Sequence, residues 1–105
     1  MEQPNLIYIH SLSQGDTAFV DKIIKIIKTE LQDEKKIYYK NLEEKNYLKT
    51  AEWVHKIKHK ISILGLLESY AIAEEFENNL KENNTKLKEE FQKTMQLMTD
   101  YLNTL

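Results

Sequence analysis

Residues 17–44 have the sequence TAFVDKIIKIIKTELQDEKKIYYKNLEE, and the spacing of their apolar side chains decides the fold class. These side chains recur every three or four residues, as they do along one face of an α-helix. The first part of this apolar stripe consists of Phe19, Val20, Ile23, Ile24, Ile27 and Leu31. Tyr38 and Leu42 extend the stripe, so one helix is predicted over residues 17–44. Because that length is unusual in a globular protein, a bend is expected near Gln32 or Asp33.

The same spacing predicts four more helices. They cover residues 4–11, 46–64, 68–82 and a stretch beginning at Thr85. Asp16, Asn46 and Thr85 are residue types that favour helix N-caps, and Gly65 suits the position that ends the third helix. The turn between the first two helices is predicted at Ser13 to Gly15.

The later helices also carry apolar stripes, which predict the core. The inward residues are Val54, Ile57, Ile61 and Leu64 in the third helix, Ala73, Phe76 and Leu80 in the fourth, and Leu87, Phe91, Met95, Met98 and Leu102 in the fifth. Only two glycines and one proline are present, which leaves little room for hairpins. Short links favour antiparallel helices. We therefore predict a single all-α domain over residues 1–105, an up-down four-helix bundle with a short N-terminal lead-in helix.

Composition narrows the functional class. The formal net charge is -2, which does not predict general binding to nucleic acid or to anionic membranes. The chain has no cysteine, in keeping with a reducing compartment. Its first residues lack the pattern of a signal peptide, and the apolar stretch from Ile61 to Leu67 is too short to span a membrane. A cytoplasmic location is therefore expected.

One face of the third helix does not fit the core. At about 100° per residue, His55 points well away from the apolar stripe and is expected on an exposed surface. The residues predicted to share its face are Ala51, Glu52, Lys58, His59 and Ser62. A neutral imidazole there is a competent nucleophile, and the ammonium group of Lys58 could offset the charge of a phosphoryl group. By spacing alone, however, an exposed histidine is more often a solvated polar residue.

A resemblance adds to this interpretation. Residues 53–66, WVHKIKHKISILGL, resemble the signature of histidine-containing phosphotransfer domains: a histidine, a hydrophobe at two, a lysine at three and Gly-Leu about ten residues on. Residues 12–19, LSQGDTAF, are similar to the Gly-Asp and aromatic residue that open the family's second helix. Asn46 stands where the family often has an aspartate.

The resemblance implies a phosphorelay function. His55 would accept a phosphoryl group from a receiver-domain aspartate or a kinase and pass it to a response-regulator receiver. Such domains are carriers, not enzymes: they have no nucleotide site and need no cofactor, because the partner receiver supplies Mg²⁺. The implied partners are a receiver domain and a hybrid sensor histidine kinase, with no nucleic acid and no membrane.

The sequence departs from the family at His59, where the family usually has glycine. A ring one turn after His55 could shield it, donate a hydrogen bond to the phosphoryl oxygens, or compete as the acceptor. Residues of the fourth helix that orient the histidine in some members cannot be carried over, because Glu77, Asn78 and Asn79 offer no unambiguous match.

Two alternatives remain open. His55 and His59, one helical turn apart and preceded by Glu52, could bind a transition metal, with His10 as a further candidate ligand. The chain could also be an inactive bundle that docks receivers without carrying phosphate. For docking, we predict an apolar patch formed by Ile63, Ile7 and Leu12.

Overall fold

The computed structural model describes residues 2–105, and most of these residues lie in α-helices. Its five helices are α1 (Ile7–Ser13), α2 (Thr17–Glu43), α3 (Tyr47–Ile63), α4 (Leu67–Lys81) and α5 (Lys88–Asn103). Over these residues the chain forms no β-strand. The predicted all-α class is thus confirmed. The periodic apolar spacing that predicted α2 runs its full length, and the helix continues through Gln32 and Asp33 without interruption.

The predicted caps are mostly confirmed. Asp16 caps α2 by accepting a hydrogen bond from the Phe19 amide at 3.2 Å, and Asn46 caps α3 through the Lys49 amide at 3.3 Å. Each side chain satisfies an amide that has no partner within its helix. Gly65 follows α3 with a φ of 77°, as expected for the residue after a helix C-terminus.

The start of α5 differs from its prediction. Thr85 does not cap the helix, which begins three residues later at Lys88 after Leu87 in a left-handed conformation. Asparagine side chains hold the preceding turn instead: Asn84 accepts a hydrogen bond from the Lys86 amide, and Asn79 donates one to the Lys86 carbonyl. These bonds extend the turn beyond Asn84, so Thr85 lies inside it.

The first helix also begins later than predicted, at Ile7 rather than Pro4. The preceding residues lie over the turn between α3 and α4, where the Asn5 amide donates a hydrogen bond to the Leu64 carbonyl. The Glu2 carboxylate accepts hydrogen bonds from the backbone amides of Glu68 and Ser69, at 3.1 and 2.8 Å. Glu2 therefore caps α4, whose own N-cap residue, Leu66, has no polar side chain.

The apolar stripes of the helices meet in one core. α3 contacts both α2 and α4, α5 contacts the same two helices, and α1 contacts α2. An aromatic cluster of Tyr38, Phe76 and Phe91 joins α2, α4 and α5, with ring centroids 5.3 to 6.4 Å apart. Within residues 2–105, no helix combines the length and the apolar character needed to cross a lipid bilayer. The core thus places α3 between two neighbours, and α3 carries His55.

Candidate histidine site on α3

The position of α3 between α2 and α4 determines which of its side chains reach solvent. Lys58 and Lys60 lie on opposite flanks of its apolar stripe, each roughly 80° from the centre of the stripe at about 100° per residue. Both are buried. Lys60 turns toward α2, where its ammonium group is 3.0 Å from Glu34 and 3.1 Å from Glu30. Lys58 turns toward α4. Each buried ammonium group is therefore paired with carboxylates of the helix it faces, as burial of a charge requires.

His55 lies on the outward face, with 52% of its side chain exposed. Its ring nitrogen Nδ1 is 3.2 Å from both carboxylate oxygens of Glu77, a buried residue of α4. An ionised carboxylate can only accept hydrogen bonds, so we assign the proton of this contact to Nδ1 of His55. In the neutral imidazole the lone pair is then on Nε2, the nitrogen that points away from Glu77.

Glu77 is the centre of a charged network. Lys58 approaches its carboxylate at 3.0 Å, and Lys81, one turn further along α4, approaches at 3.4 Å. Burial alone would raise the pKa of Glu77, but the hydrogen bonds from Lys58 and His55 outweigh burial and hold the pKa below its ordinary value. Glu77 is therefore ionised at neutral pH and keeps the His55 ring oriented.

Two residues predicted to share the exposed face of His55 do not. Lys58 is 6% exposed and Ala51 is 1% exposed, whereas Glu52, His59 and Ser62 are exposed as predicted. Both residues are buried because α4 packs against the flank of α3 that carries them. The apolar stripe of α3 does not predict this second contact. Direct contact of the Lys58 ammonium with a phosphoryl group stays a prediction, and this ammonium is already paired with Glu77.

His59 stands one turn along α3 with its ring against that of His55. The two Nε2 atoms are 3.3 Å apart, the ring centroids are 4.9 Å apart and the planes are inclined by 67°. With the His55 proton on Nδ1, this contact is a hydrogen bond that the His59 Nε2–H donates to the lone pair on His55 Nε2. Among residues 2–105, no group of three or more His, Cys, Asp or Glu side chains is arranged to hold a metal ion. The predicted additional ligands, Glu52 and His10, thus do not complete such a group.

Hollows flank the two histidines. An open groove beside His55 is lined by Leu48, Ala51, Glu52, Lys56, Glu77 and Lys81. A second hollow is lined by Tyr8, His59, Ser62, Ile63 and Tyr70. The groove beside His55 is therefore rimmed by charged side chains of α3 and α4, whereas the hollow beside His59 combines two tyrosines and Ile63 with the polar side chains of His59 and Ser62.

The predicted docking patch is brought together only in part. Ile63 is half-buried and packs against the core, while Ile7 is 75% exposed and Leu12 is 50% exposed. The α1 residue that lines the hollow with Ile63 and His59 is Tyr8, not Ile7 or Leu12. A function in docking stays a prediction for all of them.

Sequence reasoning missed the orienting role of Glu77 and overlooked Lys81. A signal for Glu77 was present, because it lies between Ala73 and Leu80 on the inward side of α4, next to Phe76. A carboxylate on a core-facing stripe requires a partner, and the facing helix offered His55 and Lys58. Lys81 follows from Glu77 by the four-residue spacing of neighbours on a helix.

Comparisons with known proteins found no relative. No family model matches the chain, no curated protein matches it, and no solved structure matches it.

Proposed function

We propose that this protein is a phosphoryl carrier of a phosphorelay, which accepts a phosphoryl group on Nε2 of His55 and passes it to a receiver domain. The observation that carries the proposal is the contact between His55 Nδ1 and the ionised Glu77 carboxylate at 3.2 Å. This contact leaves Nε2 as the nucleophilic nitrogen on an exposed helix face. The resemblance of residues 53–66 to histidine-containing phosphotransfer domains supports the same function.

The chemistry is a single displacement. The Nε2 lone pair of His55 forms a bond to phosphorus as the bond between phosphorus and the receiver aspartate breaks, and the aspartate leaves as a carboxylate. Nδ1 keeps its proton and its hydrogen bond to Glu77. The negative charge of the Glu77 carboxylate stabilises the positive charge that develops on the ring. The receiver supplies Mg²⁺, so the carrier contributes position and charge rather than a metal of its own.

Lysine side chains beside His55 favour an anionic group there. Lys56 and Lys81 both line the groove next to the ring, and 54% of the Lys81 side chain is exposed. Lys58 acts through Glu77, because its ammonium helps to keep that carboxylate ionised. In this proposal Lys81 and Lys56 approach the phosphoryl oxygens, and Lys58 and Glu77 position the acceptor.

We also propose the arrangement of the helices that such a carrier would have. α2 to α5 form an up-down four-helix bundle, and α1 is the lead-in helix. The contacts of α3 with α2 and α4, and of α5 with those same helices, support this arrangement. We also propose a cytoplasmic location, where receivers and the kinase domains of hybrid sensors meet.

The test is transfer of label from a phosphorylated receiver domain to the purified protein. We expect an acid-labile, base-stable adduct on the wild type and none on His55→Gln. His10→Gln is the matched control, because His10 is an exposed histidine on α1 and should keep the label. Label that persists on His55→Gln would refute the assignment, and label lost only in His59→Gln would identify the other ring as the acceptor.

A further inference from the structure

We infer that His55 and His59 together form a two-histidine binding site for Zn²⁺, and that an ion held there blocks the phosphoryl-accepting nitrogen. The binding site follows from geometry alone. The blocking effect rests on the proposed phosphorelay function.

The distance between the two ring nitrogens fits one bound ion. Zn–N bonds are about 2.0–2.1 Å long, so two nitrogens of one tetrahedral zinc ion lie roughly 3.4 Å apart. The Nε2 atoms of His55 and His59 are 3.3 Å apart. The present contact between the rings is a long hydrogen bond, in which a zinc ion would take the place of the shared proton. Zinc binding therefore requires little movement of either ring.

Glu77 supplies the support that zinc-binding histidines usually have. Such a histidine donates its other ring N–H to a carboxylate or carbonyl, which fixes the ring orientation and makes the metal-bound nitrogen more basic. His55 Nδ1 lies 3.2 Å from both oxygens of the Glu77 carboxylate. The contact with Glu77 therefore orients the His55 ring before any metal arrives.

The ammonium groups near the two rings are each engaged with other side chains, Lys81 with Glu77 at 3.4 Å among them, and this limits their repulsion of a cation. The ammonium group of Lys56 lies 4.2 Å from the Trp53 ring centroid, in a cation–π contact. Lys58 is paired with Glu77 at 3.0 Å. Both histidines are exposed, so an ion can reach them from solvent.

The site would hold an exchangeable ion rather than a structural one. The described residues offer two nitrogens and no third side chain in a metal-binding group, so water would fill the other positions. Phosphorus and zinc need the same lone pair on Nε2 of His55. Phosphorylation and zinc binding are therefore mutually exclusive, and bound zinc would reversibly inhibit phosphotransfer to His55.

Binding is tested first without any phosphoryl donor, by titrating the metal-free full chain with ZnCl₂ alone. We expect one zinc ion per chain by calorimetry and shifts of both Nε2 resonances in ¹⁵N spectra. His55→Gln and His59→Gln should each lose the binding heat, His10→Gln should keep it, and Glu77→Gln should weaken affinity by at least about tenfold. No binding by the wild type, or unchanged binding by His59→Gln, overturns the site.

The blocking effect is tested by phosphotransfer with and without zinc. Zinc should slow labelling of the wild type by more than about tenfold at saturation, because a metal-bound nitrogen has no free lone pair. His59→Gln keeps His55 and should be labelled at the same rate with or without zinc, which also controls for effects of zinc on the receiver. Equal slowing of both proteins refutes the block. If the wild type binds zinc but is never labelled, the phosphorelay proposal fails and the zinc site stands.

Discussion

At the scale of single residues, the main feature is a carboxylate that serves two purposes. Glu77 compensates the buried ammonium group of Lys58 and orients the ring of His55. Removal of one partner from a buried ion pair is costly because the other charge is left without compensation. His55 is thus held by a group that the fold itself needs, which links the geometry of the site to the stability of the α3–α4 contact.

Glu77→Gln should therefore lower the free energy of unfolding at pH 7 by about 3 kcal/mol, since Lys58 stays buried without its closest carboxylate. Glu74→Gln is the matched control. Glu74 lies on the same helix 4.0 Å from the same ammonium group, but its side chain is mostly exposed, so its loss should cost less than about 1 kcal/mol. Urea unfolding of both variants and the wild type measures the difference, and equal losses would contradict the role given to Glu77.

The same substitution should change the dependence of stability on pH. The pKa of Glu77 in the folded protein lies below the ordinary value of 4.5, so its contribution is fully present above pH 4.5. It is lost as pH falls from 4.5 through the lower folded-state pKa, because the folded state then gives up its ion pairs. We expect the wild type to lose its advantage over Glu77→Gln in this acidic range. A constant difference between the two proteins down to pH 2 would show that Glu77 does not titrate in this way.

Among the helices and turns, the turn between α3 and α4 is held in place by hydrogen bonds to residues 2–5. Gly65 has a φ of 77°, and a Cβ atom added there would lie 2.5 Å from Nδ2 and 2.9 Å from Oδ1 of Asn5. Asn5 is itself engaged, because its Oδ1 accepts a hydrogen bond from the Ile7 amide at the start of α1. The absence of a side chain at Gly65 therefore allows residues 2–5 to lie close to the turn.

Gly65→Ala should destabilise the protein more than Gly15→Ala. Both glycines have positive φ, which costs an alanine about 1–2 kcal/mol, but a Cβ at Gly15 would meet no atom within 4 Å. The difference between the losses of unfolding free energy in Gly65→Ala and Gly15→Ala then measures the cost of displacing Asn5. We expect this cost to be about 1 kcal/mol, because Asn5 loses a hydrogen bond. Equal losses in urea unfolding would mean that Asn5 moves aside without cost.

For the molecule as a whole, the hollow beside His59 differs from the groove beside His55 in having two tyrosine rings and no lysine in its wall. The hollow lined by Tyr8, Ile63 and Tyr70 lies beside His59, so a partner that reaches His55 can also contact these side chains. The core of a protein interface is typically apolar and rich in aromatic residues. If the phosphorelay proposal holds, the receiver covers this hollow while its aspartate faces His55.

Tyr8→Ser should then weaken receiver binding by about tenfold, the loss of roughly 1.4 kcal/mol for one aromatic contact, with little change in melting temperature. Leu105→Ser is the matched control, because Leu105 is 48% exposed against 49% for Tyr8 and lines a hollow with α2 residues instead. Ile63→Ser is a poorer probe, since Ile63 also packs against the core and its loss lowers stability. Equal weakening by Tyr8→Ser and Leu105→Ser would place the receiver elsewhere.

The spacing of apolar residues was sufficient to predict the five helices, apart from the starts of α1 and α5, and the outward direction of His55. Helical periodicity is a local property, so the stripe from Phe19 to Leu42 predicted α2 to within one residue at its C-terminus. Capping depends on residues three positions apart, and Asp16 and Asn46 were therefore predicted correctly. His55 points outward because it lies opposite a stripe that must be buried, whatever helix covers that stripe.

Packing between helices determines which flanks of α3 are buried and what lies next to His55. Lys58 and Ala51 were predicted on the exposed face, but a second neighbouring helix, α4, covers them. The contact between His55 and Glu77 joins residues 22 positions apart, and the cap that Glu2 supplies to α4 joins residues 66 and 67 positions apart. Such pairs depend on how whole helices pack, and the periodicity of one helix contains no information about the helix that will lie beside it.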